Sequence, residues 1–220
     1  RMFAKLQVAC SHEVASVPYV PVPGILHTKY QAIHKMGVSG AMLCWYFGNY
    51  PSLMNKAASE LSFAPFPRGE RRFLLRLARS YWAARASVVA RAWHFFRRGY
   101  EQYPHTALFG YYGPMHDGPA WPLHLQPANA VLSPTWQICY PPSGDRVGEA
   151  IGNSYTWPEI LLLCKRMSDN WRRGTRLLTP LLRDQNLSLE QKRDIGVAQA
   201  LDLQFRSGYN ILLFYALREK

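Results

Sequence analysis

The sequence predicts an α/β unit followed by a mainly α-helical region, and three observations carry that prediction. Residues 2–8 form a strand-like run with Phe3, Leu6 and Val8 apolar, residues 38–45 form a second run without polar alternation, and the two flank one stretch of helical spacing. From residue 70 onward, outside an irregular middle section, apolar residues recur at three- and four-residue steps, the period of helices. Between the two regimes, Ala64-Pro65-Phe66-Pro67-Arg68-Gly69 breaks both patterns and is the expected boundary. The expected units are therefore 1–67 and 68–220.

Each element has its own warrant. Residues 2–8 are expected as a short buried strand, followed by the polar trio Ser11-His12-Glu13 and a Pro-rich extended stretch, Val17-Pro18-Tyr19-Val20-Pro21-Val22-Pro23-Gly24. Ile25, Leu26, Tyr30, Ile33 and Met36 then follow helical spacing, and Gly37 is a natural stop. A second buried strand over 38–45 completes a βαβ unit, its strands adjacent and parallel with the helix packed across them. Ser52 is placed to cap a helix through Leu53, Met54, Ala57, Ala58 and Leu61.

Residues 70–98 give the longest helical signal, with Leu74, Leu77, Tyr81, Ala84, Val88, Ala92 and Phe95 as its apolar stripe. Arg72, Arg76, Arg79, Arg91, Arg97 and Arg98 share one face, expected to be exposed or to meet acids. A break is expected near Gly99, and Tyr103-Pro104 ends the element. Residues 105–158 are dense in Trp, Tyr, Gly and Pro and are expected to be a long functional loop region. Ile160, Leu161, Cys164, Met167 and Trp171 begin the next helical face, and Ser188-Leu189-Glu190-Gln191 opens a last helix with a capping signature.

Composition narrows the classes. With 48% hydrophobic residues among 220 and only 18% charged, the chain supports a sizeable core, and disorder is excluded as its dominant state. No run of 18 apolar residues exists, which excludes a membrane-spanning helix. Cys10, Cys44, Cys139 and Cys164 form no C-x-x-C pair, removing zinc-ribbon and thioredoxin-type readings. The chain enters an apolar run almost at Arg1, with no signal-peptide architecture, and is expected to be a piece of a longer polypeptide.

The net charge of +12 is uneven. Residues 68–100 carry nine basic residues against Glu70 alone, whereas 101–160 carry five acids against Arg146. A nucleic-acid surface would be uniformly basic, and this negative island opposes that reading.

Three constellations carry chemistry. Glu13, directly after a strand, stands where α/β sheets place site groups; it is either a catalytic or binding carboxylate or the partner of a basic residue. Trp45, Tyr46, Asn49 and Tyr50 offer rings and an amide suited to stacking on and bonding a sugar, or else ordinary core packing. His116, Asp117 and Trp121, in a Gly/Pro-rich loop, are either turn chemistry or a polar hook into the site. Asp145 is expected as a turn residue and His94 as a structural histidine. The histidines lack ligand spacing, and neither G-x-G-x-x-G nor a phosphate loop exists, so no metal or cofactor is expected.

The stretch from Ala4 through Ser11-His12-Glu13 and Val17-Pro18-Tyr19-Val20-Pro21, with Gly40-Ala41-Met42-Leu43-Cys44 running into Trp45-Tyr46-Phe47-Gly48-Asn49-Tyr50-Pro51-Ser52, resembles the last strands of a bacterial (β/α)8-barrel glycoside hydrolase-like protein. In such proteins a W-x-x-G-x-Y-P-S segment follows a late barrel strand and a helical C-terminal region comes next. The resemblance covers residues 2–65 well and the helical remainder loosely. It implies that 1–67 are the last βα units of a TIM-type barrel whose earlier units lie upstream, as a partner portion of the same polypeptide. It further implies cleavage of glycosidic bonds by a carboxylate pair, with Glu13 as one acid and Asp117, or Asp145, as the in-chain candidate for the second. His12, Trp45, Tyr46, Asn49, Tyr50, His116 and Trp121 would bind the carbohydrate substrate. Two alternatives stay open: a non-catalytic carbohydrate- or protein-binding module, and a nucleic-acid binder using the Arg-rich helix.

Overall fold

The computed structural model describes residues 1–9, 14, 16–43, 51–63, 65–106, 108–110, 113–135, 144–152 and 154–220. Strand β1 (Phe3–Lys5), helix α1 (Pro23–Lys35) and strand β2 (Gly40–Met42) open the chain. The strands are parallel neighbours, with Phe3 opposite Gly40, Ala4 opposite Ala41 and Lys5 opposite Met42. Leu6 N–H donates to the Met42 carbonyl at 2.9 Å and Ser39 N–H to the Met2 carbonyl at 2.9 Å, so the pairing continues past each named strand end.

Two expectations are corrected here. The strands are not buried: Phe3 is 72% exposed and Met42 54%. Their apolar sequence is that of a strand covered on both faces, but among the described residues the sheet has only two strands. Nor does α1 lie across the sheet. Its buried residues, Leu26, His27 and Tyr30, face a helical body made by α2 (Leu53–Ser62), α3 (Glu70–Trp82) and α4 (Ala86–Tyr100). Ser52 precedes α2 as expected, but its hydroxyl donates to Asn55 Oδ1 at 2.8 Å instead of accepting a backbone N–H.

The Pro-rich break is held against α1. His27 Nε2–H donates to the Pro67 carbonyl at 3.0 Å and His34 Nε2–H to that of Leu61 at 2.9 Å, with Phe66 packed against both rings. The hydrophobic core therefore continues from one side of 64–69 to the other.

The Arg-rich segment is helical but not one helix. Ala83, at φ +47, stops α3, and a 3-10 turn over Ala83–Arg85 leads into α4. A side chain with a Cβ rarely takes this backbone region, so the stop is sharp. The break resets the phase. Buried positions are Phe73, Leu74, Leu77, Ala78 and Trp82 in α3, then Ala86, Val89, Ala92, Trp93 and Phe96 in α4. Ala84 and Val88, expected on the apolar stripe, are exposed, and Gly99 lies inside α4 instead of breaking it.

The irregular middle section contains α5 (Pro114–Asp117) and α6 (Val147–Ile151), and Leu108, Phe109, Met115, Trp121, Leu132, Val147 and Ile151 are buried. Much of this section is thus core. Helices α7 (Trp157–Leu178) and α8 (Leu189–Arg218) finish the fold, and no described helix is long and apolar enough to cross a membrane. Both are boxed at their starts: Thr156 N–H donates to Glu159 Oε2 at 2.8 Å, and Ser188 exchanges bonds with Gln191 at 2.9 and 3.2 Å.

The centre is where α4, α7 and α8 meet. Trp171 stacks on Phe96 at 4.4 Å between ring centroids, meets Phe205 edge-on at 5.0 Å and donates its indole N–H to the Ala198 carbonyl at 2.9 Å. Gly99 and Gly174 let the α4 and α7 backbones approach. A Cβ at Gly99 would lie 2.9 Å from the Met167 carbonyl oxygen, and one at Gly174 2.9 Å from that of Ala92. Gly174→Val should therefore lower stability by about 1–3 kcal/mol, the usual cost of overpacking, despite valine's better helix propensity. Urea denaturation checks it; an unchanged midpoint would mean that the crossing is loose.

Candidate functional site

Chemistry-bearing residues fall in three places: the ends of the two strands, the irregular section laid along α8, and the start of α8. In the first, parallel pairing sends the chain out of β1 and β2 at the same end. Beyond β1 the chain enters the core, with Val8, Ala9 and Val14 buried on either side of the polar trio. His12, Glu13, Trp45, Tyr46, Asn49 and Tyr50 themselves lie outside the described residues.

In the second place, His116, Asp117 and Trp121 all have structural partners. Asp117 accepts the Thr135 backbone N–H at 3.2 Å and the Thr135 hydroxyl, and His116 Nδ1 lies 3.2 Å from it. Burial works to raise the Asp117 carboxyl, but the hydroxyls of Ser133 and Thr135 and the His116 ring outweigh it and hold the group below the usual carboxylate range. Trp121 is buried edge-on against Phe109, centroids 6.1 Å apart, so its ring face is not open as a sugar platform.

Asp145, expected as a turn residue, is the most enclosed carboxylate described, at 0% exposure. It accepts Arg218 Nη1–H at 2.7 Å, His124 Nδ1–H at 2.8 Å and the Ala128 backbone N–H at 3.0 Å, while its carbonyl accepts Arg218 Nη2–H at 3.0 Å. Burial opposes ionisation, yet Arg218, Ala128 and His124 together pull its pKa down to about 2. The bond from Nδ1 fixes the His124 tautomer and leaves Nε2 as the ring's other nitrogen. An Asp–His pair of this form can orient a base. No serine or cysteine partner to it is found among the described residues, and Arg218 makes Asp145 first an anchor.

That anchor ends a row. Along one stripe of α8, Gln204 donates to the Met115 carbonyl, Ser207 to that of Pro119, Tyr215 to that of Pro122 at 2.7 Å and Arg218 to that of His124 at 3.1 Å. Polar side chains at helical spacing on α8 thus hold carbonyls spaced along the chain from α5 to His124. Gln204, Ser207, Tyr215, Arg218 and His124 are not among the residues expected from sequence. The available signal was that 204, 207, 211, 215 and 218 form a helical stripe mixing polar donors with Ile211.

The third place is the start of α8. Asp194, buried, accepts the Tyr19 hydroxyl; nearby Lys56 pairs with Glu190 at 2.7 Å and lies 3.6 Å over the Tyr81 ring. Burial is the chief reason that the Asp194 carboxyl rises to about 6, with Glu190 adding to it and Tyr19, Lys56 and Tyr81 opposing. Burial and the same acids also push the Tyr19 and Tyr81 phenols up. The arginines of α3 and α4 behave as expected: Arg76 meets Glu60 at 2.9 Å, Arg97 meets Glu70 and Glu101, and Arg72, Arg79, Arg91 and Arg98 are exposed. His94, expected as structural, is half-exposed and 4.0 Å from Glu70.

Comparison of the chain with protein-family profiles, curated proteins and solved structures finds no match.

Three variants test these carboxylates. Arg218→Met strands a buried charge and should cost about 3–5 kcal/mol in urea titrations. Asp145 is depressed from about 3.9 to about 2, so its contribution is full above about pH 4 and lost as pH falls through about 2; Asp145→Asn should differ most from the parent near neutrality and converge on it in acid. Asp194 has the opposite sign. The parent should lose roughly 2–3 kcal/mol as pH rises from about 4 past about 6, and Asp194→Asn should remove that slope.

Proposed function

We propose that the chain is part of a carbohydrate-active protein, a glycoside hydrolase-like one, whose site lies at the C-terminal end of the β1–β2 sheet. The observation that carries the reading is the parallel pair itself: the segments bearing Glu13 and Trp45–Tyr50 leave it at one end. Glu13 is the acid/base carboxylate in this reading, and Trp45, Tyr46, Asn49 and Tyr50 stack on and bond the sugar. The exposed Phe3 and Met42 support further βα units covering the sheet, because parallel strands are ordinarily covered on both faces.

Asp117 and Asp145 are poor second carboxylates. Both have both oxygens held by hydrogen bonds within the chain, so neither has a free oxygen to attack a sugar or take a proton from water. This reading then needs the partner of Glu13 from outside these two carboxylates. The same observation favours a second reading, in which this portion binds carbohydrate without cleaving it.

Assay of the intact parent protein on aryl glycosides and natural glycans separates the two. A catalytic Glu13 predicts that Glu13→Gln loses about 100-fold or more in turnover while sugar binding survives, and that Trp45→Ala chiefly weakens binding. If Glu13→Gln keeps near-parental rates on a glycoside the parent cleaves, its catalytic assignment is wrong. If the parent binds glycans and cleaves none, the binding-module reading stands.

A further inference from the structure

A cavity of about 610 Å³ opens along the crease between α3 and α4, lined by Glu70, Arg71, Leu74 and Leu75 from one helix and Ser87, Val88, Ala90, Arg91 and His94 from the other. Its volume lies in the range of small-molecule sites. Leu74 forms a buried floor, and Val88, 37% exposed, is one of the large apolar side chains that solvent reaches. At helical rise, the run from Ser87 to His94 measures about 10 Å.

The charge of the lining is one-sided. Glu70 is its acid, and Arg97 pairs with that carboxylate from beneath while donating to the Gly24 carbonyl at 3.3 Å. Arg97 divides its charge between Glu70 and Glu101, and the guanidinium groups of Arg71 and Arg91 still outnumber this one lining carboxylate. Arg71 and Arg91 are exposed and form no ion pair with a described carboxylate. His94 stands at the same rim, 4.0 Å from Glu70. An apolar trough with two uncompensated guanidinium groups complements a molecule that joins an anionic head to an aliphatic chain. Guanidinium forks suit a carboxylate or sulfate, and aliphatic walls suit an alkyl chain. Neither polar sugar nor a bare phosphate would use Leu74, Leu75, Val88 and Ala90.

We propose that the α3–α4 crease is a binding site for a small anionic amphiphile, its acid head held by Arg71 and Arg91 and an alkyl chain of about eight carbons laid on Leu74, Leu75, Val88 and Ala90. The site lies on the helical body and does not rest on the carbohydrate reading.

Calorimetric titration of the full chain with octanoate, below its micellar range, tests it. Saturable one-to-one binding is expected, matched by octyl sulfate and weakened about tenfold or more for octanamide, which keeps the chain and lacks the charge. The double variant Arg71→Gln/Arg91→Gln should weaken octanoate about tenfold or more, and Val88→Trp should block it by filling the trough with both arginines in place. Arg72→Gln, an exposed arginine outside the lining, should leave it unchanged. All four residues are exposed, so the variants should keep the parent's thermal midpoint. Absence of saturable octanoate binding overturns the proposal, as does octanamide binding equally well or insensitivity to both the double variant and Val88→Trp. So does an acidic amphipathic peptide that binds through Arg71 and Arg91 where octanoate fails, which would make the crease a peptide groove.

Discussion

One indole organises this protein. Trp171 belongs to α7, yet it bonds the α8 backbone at Ala198, stacks on Phe96 of α4 and meets Phe205 of α8. Such an arrangement tolerates no slack, because the ring fills the space where three helix axes converge and its N–H must find an acceptor there. The glycines on either side of the crossing follow from it: α4 and α7 reach this separation only where positions 99 and 174 carry no side chain. Everything else attaches to the three helices so fixed. Helix α1 packs on α3 and α4, and the irregular section is strapped to α8.

The helical body was readable in advance where local rules decide. The Ser188 box, the proline after Tyr103 and the apolar positions of α7 are short-range signals, and the structure obeys them. Signals fail where a tertiary choice intervenes. A periodicity count over 70–98 runs straight through Ala83, since alanine is the best helix former and nothing in its type announces a left-handed stop. Similarly, an apolar run identifies a strand that wants cover without saying whether the described chain supplies it, and Phe3 and Met42 remain exposed.

The same division runs through the candidate site. Types suited to sugar chemistry can be picked from sequence, but whether a carboxylate is available is a matter of its partners. Asp145 reads locally as a turn residue after Ser143-Gly144. Its role comes from Arg218, 73 positions later. Asp117 reads as a possible acid, and the hydroxyl and N–H that occupy it belong to Thr135. Long-range pairing of this sort leaves its clearest trace in α8, where the polar stripe of Gln204, Ser207, Tyr215 and Arg218 departs from the apolar pattern that a core-facing helix would show.

The open sheet has a practical consequence for handling the chain. Two strands side by side leave each an outer edge with no strand partner among the described residues. Phe3 and Met42 flank those edges with apolar surface, and no proline lies within either strand. Edges of this kind are templates for another extended segment. In concentrated solution a second molecule would be one source of such a segment, and sedimentation that depends on concentration would be its sign.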